Sequence, residues 1–463
     1  MTALFQKKIY KIVKKIPKGN FLEDLFWETF YRQHLGEQYG GLSTHKEGQK
    51  IKIQTHRGLF RHTFQNNLAG LEGTEGIGYC GHTREPFLIG SRIGEMSVCF
   101  SGNIINLSEL VDEFENFGHI FERCGDDIEI IAKLIAQGVN IIDGIKRMAE
   151  RIKGAFALLV LTKEGIYAAR CPTGHWPLVI GEKKGAIAVS SEPCGFKNFG
   201  FKLVRDLKPG EIVLFKGGKI ETKAIISGEK VQFCSFVWVY TAYPNGVFWG
   251  IPASLVRKRL GAALARQDIE RGFIPDIVAP VPDSGRFHAI GYHQEFCRQI
   301  MEGKIRKVPL YDEVLLKWPY AGRSFTPQEE EKRKLEAHIK LLVNGEDYTG
   351  KVLVINDDSI VRGTQTSENL VPKAESLGVK EIHFRISNPE LHSYCPYGKT
   401  TKRGELFAAE ILSKEERIKF LNSKAENKNI VRSLEYNTVD DLVLAIGLPR
   451  EKLCVDCDLK TPD

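Results

Sequence analysis

From about residue 20 to residue 228, short apolar runs alternate with turns rich in Gly, Asn and Lys: IKIQT, SVCFSG, AFALLVLT, GIYAAR, AIAVSS, EIVLF and KAIIS. Runs of this length between turn residues predict strands of an antiparallel or mixed sheet. Apolar positions at helical spacing interrupt them at 22–34, 107–115, 128–137 and 141–152, so a layered α+β domain is expected. After about residue 230 the pattern changes. The strands DIVAPV and KVLVI alternate with helical segments at 253–269 and 367–377, which predicts a parallel, doubly wound α/β sheet. Two domains follow, 1–229 and 230–463. Residues 317–335, rich in Gly, Pro, Arg and Lys, read as a mobile loop over a site. The first eighteen residues hold six lysines and no acid. They fit a basic amphipathic segment for a membrane surface or for targeting, or an ordinary first strand (9–16) or helix with its lysines in solvent.

Composition narrows the class. With 463 residues, 42% hydrophobic and 27% charged, the chain is ordinary globular protein, long enough for two to four domains at roughly 150 residues each. The net charge of +7 is spread without a basic block, which gives no case for nucleic acid. No apolar stretch approaches the roughly 18 residues of a spanning helix. Neither integral membrane contact nor secretion is expected, which points to the cytoplasm. Ten cysteines are too dilute for a disulfide scaffold and read as thiols or metal ligands.

The most informative segment is KVLVINDDSIVRGTQTS, 351–367. Apolar residues form a buried strand, two acids stand at its carboxyl end, and a Ser/Gly/Thr turn opens a helix. Unpaired amides at such a turn bind phosphate. Asp357 and Asp358 add acceptors for sugar hydroxyls or a Mg²⁺ site. The plainer alternative is a turn in which Asp and Ser only cap the helix.

This segment resembles the phosphoribosyl-pyrophosphate (PRPP) motif of type I phosphoribosyltransferases. VRDLKPGEIVLF (204–215), RKRLGAALA (257–265), PVPDSGR (280–286), YAGRSF (320–325) and RISNPELHSYCPYG (385–398) extend the likeness to the glutamine PRPP amidotransferase family, from about residue 22 onward. The resemblance implies that Asp357 and Asp358 hold the ribose hydroxyls and Mg²⁺, with Ser284 as a further metal contact. It assigns Ser359, Ile360, Val361, Arg362, Gly363, Thr364 and Thr366 to the 5′-phosphate. Lys317, Tyr320 and Arg323 would come from the loop onto the pyrophosphate, where positive charge stabilises the leaving anion. The family usually reads Lys-Asn-Arg-Tyr in that loop; here it is Lys317, Trp318, Pro319 and Tyr320, one cation fewer and a stiffer backbone.

Cys454 and Cys457 form a C-x-x-C pair near the end of the chain, by itself a zinc half-site, a redox pair or two incidental thiols. In the iron-sulfur subgroup of the family, cysteines at the places of Cys234, Cys395, Cys454 and Cys457 bind a 4Fe-4S cluster. Zinc would take the same four thiolates.

The N-terminal half resembles a class II glutamine amidotransferase of the Ntn-hydrolase type, an αββα sandwich. There the nucleophile is a Cys at residue one, with its own α-amino group as base. This sequence has no Cys before Cys80, and the lysine-rich segment at 7–15 stands where the Cys-Gly-Ile strand is expected. Leu35, Tyr79, Gly81, Ser101, Cys171 and Trp176 replace the family's Arg, His, Arg, Asn, Asp and Arg. Gly102 and Asp127 remain, the latter near the position that binds the substrate amino group.

Three readings follow. One is an amidophosphoribosyltransferase of purine biosynthesis, forming 5-phosphoribosylamine from PRPP with free ammonia or ammonia from a separate glutaminase. Another is a non-catalytic PRPP or nucleotide sensor. The third is a full glutamine-dependent enzyme with a misassigned N-terminus. The family resemblance also implies a homo-oligomer.

Overall fold

The structure is a computed structural model that describes residues 1–6, 21–64, 68–123, 126–319, 338–398, 401 and 404–459. It divides into two units. The first takes residues 1–234, 245–250 and 396–398, and the second 235–244, 251–395 and 399–463. The sequence-based boundary lay near 230.

Among the described residues of the first unit, thirteen strands form two antiparallel sheets. The seven-stranded sheet runs β11-β9-β10-β1-β4-β2-β3, from Lys202–Asp206, Val179–Lys183, Ala186–Ser190, Thr2–Gln6, Glu75–Gly81, Tyr39–His45 and Lys52–Arg57. The six-stranded sheet runs β13-β12-β8-β7-β6-β5, from Lys219–Ile225, Glu211–Lys216, Ile166–Arg170, Gly154–Thr162, Gly94–Ile104 and Phe87–Ser91. Strand β7, GAFALLVLT, shows why the sheets stack. Its successive side chains point to opposite faces. Ala157, Leu159 and Leu161 enter the core shared with the other sheet, while Phe156, Leu158 and Val160 enter the core under the helices. A strand apolar on both faces is stable only between two layers. Helix α1 (Phe21–Phe30) covers β1 and β4; α3 (Leu107–Asn116), α4 (Asp127–Ala136) and α5 (Ile141–Arg151) belong to the opposite layer. The αββα order is the expected one.

Thr2–Gln6 forms a strand not expected from the sequence, hydrogen-bonded between β10 and β4. Residues 7–20, with the lysine-rich segment and the 9–16 segment expected as a strand or helix, lie outside the described residues.

The second unit carries a five-stranded sheet, all of its pairs parallel, in the order Leu310–Tyr311, Ile277–Pro280, Val352–Asp357, Glu381–Ile386, Val431–Tyr436. Leu353 and Ile355 point into one core; Val354 meets Leu264, Ala289, Tyr292 and Phe296 of helices α6 (Ala253–Glu270) and α7 (Arg286–Met301) in the other. These helices cross so closely that a Cβ on Gly291 would lie 2.0 Å from the Lys258 carbonyl oxygen. The segment expected as one helix over 367–377 begins as a π-helical turn, Thr366–Leu370, and continues as an α-helix, Val371–Glu375. Pro372, which has no N–H to give the preceding turn, stands at the change. No helix among the described residues is long and apolar enough to cross a membrane.

Candidate active site

In the second unit the strand Val352–Asp357 delivers Asp357 at the carboxyl edge of the parallel sheet, with Asp358 next to it. Ligands of open α/β sheets bind at this edge. Ser284, just ahead of α7, donates from Oγ to Asp357 Oδ1 at 3.0 Å, and Ser359 Oγ donates to Asp358 Oδ2 at 2.6 Å. Burial, then the neighbouring Asp358 charge, hold the Asp357 carboxyl well above its ordinary range; Asp358 is also raised by burial. A half-buried and a buried carboxylate, adjacent and with serine hydroxyls alongside, are a hard oxygen donor set that suits Mg²⁺.

The chain then turns without spending its amides. No backbone N–H from Ser359 to Gly363 donates to a backbone carbonyl among the described residues, so the loop offers unfilled donors to an anion. Gly363 makes the turn possible: its φ is +73°, and a Cβ there would meet the Phe407 ring at 2.7 Å. Arg362 pairs with Glu405, and Thr366 lies buried in the π-helical turn. Lys317 ends the strand Leu315–Lys317, its Nζ 3.0 Å from Asp283 Oδ2, in the turn that holds Ser284. Tyr320 and Arg323 lie outside the described residues. Arg257, quoted above in a motif without a role, is buried and donates to the carbonyls of Trp238, Tyr240 and Ala242; its charge opposes the rise in the Asp358 pKa.

In the first unit the start of β1 is buried. Met1 is 2% exposed and lies between the sheets in the core that also contains Tyr79 and Cys99. The Tyr79 hydroxyl lies 2.9 Å from Thr83 Oγ1, which donates to Glu85 Oε1, and Glu85 Oε2 accepts from the Phe100 amide. Burial pushes the Cys80 thiol up to about 12 and the Cys99 thiol well above its usual value. Neither forms a thiolate readily. Gly102 (φ +151°) sits in β6 against the Ala155 carbonyl, and Asp127 opens α4, buried. Cys171 Sγ is 3.2 Å from Thr173 Oγ1, and the Trp176 indole donates to the Tyr397 carbonyl.

A glutamine amidotransferase domain profile matches residues 80–198. An amidophosphoribosyltransferase of Methanocaldococcus jannaschii is 33% identical over 95% of this chain and 93% of its own, and one of Methanothermobacter thermautotrophicus is 33% identical over 98% and 94%. The chain belongs to the amidophosphoribosyltransferase family. The structure of glutamine PRPP amidotransferase from B. subtilis complexed with ADP and GMP matches at a TM-score of 0.83 and 27% identity, covering 99% of this chain and 96% of that one. A structure described as the allosteric regulatory enzyme of purine biosynthesis matches at 0.84 and 26%, covering 99% and 95%.

Against the amidophosphoribosyltransferase pattern, the two departures in β4 are one steric event. A Cβ at position 81 would lie 2.0 Å from the Tyr79 hydroxyl oxygen, so the Tyr79 ring occupies the space where the family's arginine side chain begins. Of the four cysteines that the resemblance assigns to a cluster, Cys454 is buried and Cys234, Cys395 and Cys457 are half-buried. No three or more His, Cys, Asp or Glu side chains among the described residues form a group that could hold a single metal ion. Burial is the largest cause that raises the Cys454 thiol to about 12. Of the remaining cysteines, 80, 99, 171 and 194 are buried, Cys297 is half-buried, and Cys124 lies outside the described residues.

Proposed function

We propose that this chain is an amidophosphoribosyltransferase that converts PRPP and ammonia to 5-phosphoribosylamine and pyrophosphate, and that its first unit does not hydrolyse glutamine. The observation that carries the reading is the contrast between the units. The Asp357/Asp358 pair with its unspent amide loop has a complete set of groups for a ribose phosphate, while Met1 and Tyr79 fill the core around the start of β1.

In this reading the amides from Ser359 to Thr364 hold the 5′-phosphate, and Asp357 and Asp358 accept the ribose hydroxyls. Asp357, Asp358 and Ser284 would hold Mg²⁺, which supplies charge neutralisation for the pyrophosphate. Lys317, released from Asp283, with Tyr320 and Arg323, meets the departing pyrophosphate. Ammonia gives its lone pair to the anomeric carbon as the carbon–oxygen bond to pyrophosphate breaks, and the extra proton leaves to solvent. Holding the reactants together supplies much of the rate. The ammonia is free or comes from a separate glutaminase.

The sensor reading has its own support in Lys317 paired with Asp283 beside the stiff Trp318-Pro319. Pyrophosphate release separates the two: turnover with ammonium chloride supports the transferase, and PRPP binding without release supports the sensor. The 4Fe-4S cluster is proposed on the pattern of Cys234, Cys395, Cys454 and Cys457 alone and enters no step. Iron and acid-labile sulfide assayed after anaerobic purification test it; zinc without sulfide contradicts it.

A further inference from the structure

The first unit holds a second concavity, of about 390 Å³, that nothing above uses. Its walls come from the edge strands of both sheets, β3 of the seven-stranded and β5 of the six-stranded. Ile53 and Leu88, both partly buried, supply apolar surface. Arg84 and Arg123 stand over it, and Glu122 is the one acid of the lining.

Both guanidiniums are held by this unit's own chain. Arg84 Nε donates to Thr55 Oγ1 at 2.9 Å; Arg123 donates to the Arg84 carbonyl and lies over the Phe87 ring, 4.9 Å from its centre. The bond to the Arg84 carbonyl sets the Arg123 guanidinium beside Arg84, and burial, then the Arg84 charge, push the Arg123 pKa below its usual value. An anion between them removes the repulsion of the two charges and takes charge-assisted hydrogen bonds from both.

We infer that this concavity binds a small organic phosphate, its ring against Ile53 and Leu88 and its phosphate between Arg84 and Arg123. The volume is in the range of small-molecule sites and exceeds what a bare phosphate fills. The site does not depend on the proposed transferase activity.

The test is isothermal titration of the full chain with phenyl phosphate, and separately with benzoate and phenol. Phenyl phosphate is expected to bind with a Kd of about 1 mM or tighter, weakened at least tenfold in Arg84→Gln/Arg123→Gln. Leu88→Glu, which keeps both arginines, weakens it similarly by setting a carboxylate in the cavity. Arg84→Lys/Arg123→Lys recovers part of the binding, which a misfolded protein would not do. Identical binding in the wild type and the glutamine variant overturns the inference. So does no binding to the wild type at about 10 mM, or binding of phenol or benzoate as tight as that of phenyl phosphate.

Discussion

Asp357 and His288 show how burial sets charge in the second unit. Replacing Asp357 with Asn removes an acceptor and the negative charge a cation would neutralise. PRPP-dependent pyrophosphate release is predicted to fall by about a hundredfold or more, with PRPP binding weakened in calorimetry and the circular dichroism spectrum unchanged. Wild-type release from Asp357→Asn would contradict the assigned site. His288 lies fully buried on α7, and burial, then the Arg257 charge, hold its pKa down at about 3. Between pH 6.5 and 3 the unfolded chain takes up a proton that the folded chain refuses. The stability His288 contributes is thus present above pH 6.5 and lost as pH falls, by up to roughly 1.4 kcal/mol per unit. His288→Gln is predicted to flatten that acid slope in urea titrations at pH 7 and pH 4.5. A slope equal to the wild type's would exclude His288 as its source.

At the scale of elements, the phosphate loop and β4 each depend on one glycine. Gly363→Ala forces a left-handed backbone on a residue with a Cβ aimed at Phe407. About 1–3 kcal/mol of stability is predicted to be lost, together with tenfold or more in PRPP affinity; unchanged melting and binding would mean that the turn does not need glycine. In β4, Gly81→Arg alone is predicted to destabilise the first unit, and adding Tyr79→His to recover at least 1 kcal/mol of the loss. A double-mutant cycle in thermal unfolding measures that coupling, and simple additivity would refute the steric link. The sequence shows both substitutions but not their connection, because residues two apart on one face of a strand reveal contact only when the rotamer is known. The strand-Asp-Asp-loop motif is legible because it is local, each role lying within a few residues of the next. Arg257 and Phe407 are not legible: the charge of one acts on Asp358 and the ring of the other lies against Gly363, both from distant elements that leave no spacing signal. The strand Thr2–Gln6 was not legible for a related reason: its pairing with two distant strands is a long-range choice that periodicity cannot make.

On the scale of the whole molecule, the two units differ in what they have kept. The second presents strand-end acids and unspent amides, and the first packs Met1, Tyr79 and Cys99 into the core between its sheets. The family membership rests on both units, since relatives match across nearly the whole chain. The division of labour rests on the contrast between them. Its most direct test is pyrophosphate release from PRPP and Mg²⁺ by the purified full chain, with glutamine or ammonium chloride as the nitrogen source. Release with ammonium and none with glutamine is the predicted result; release with glutamine at a comparable rate would contradict the account.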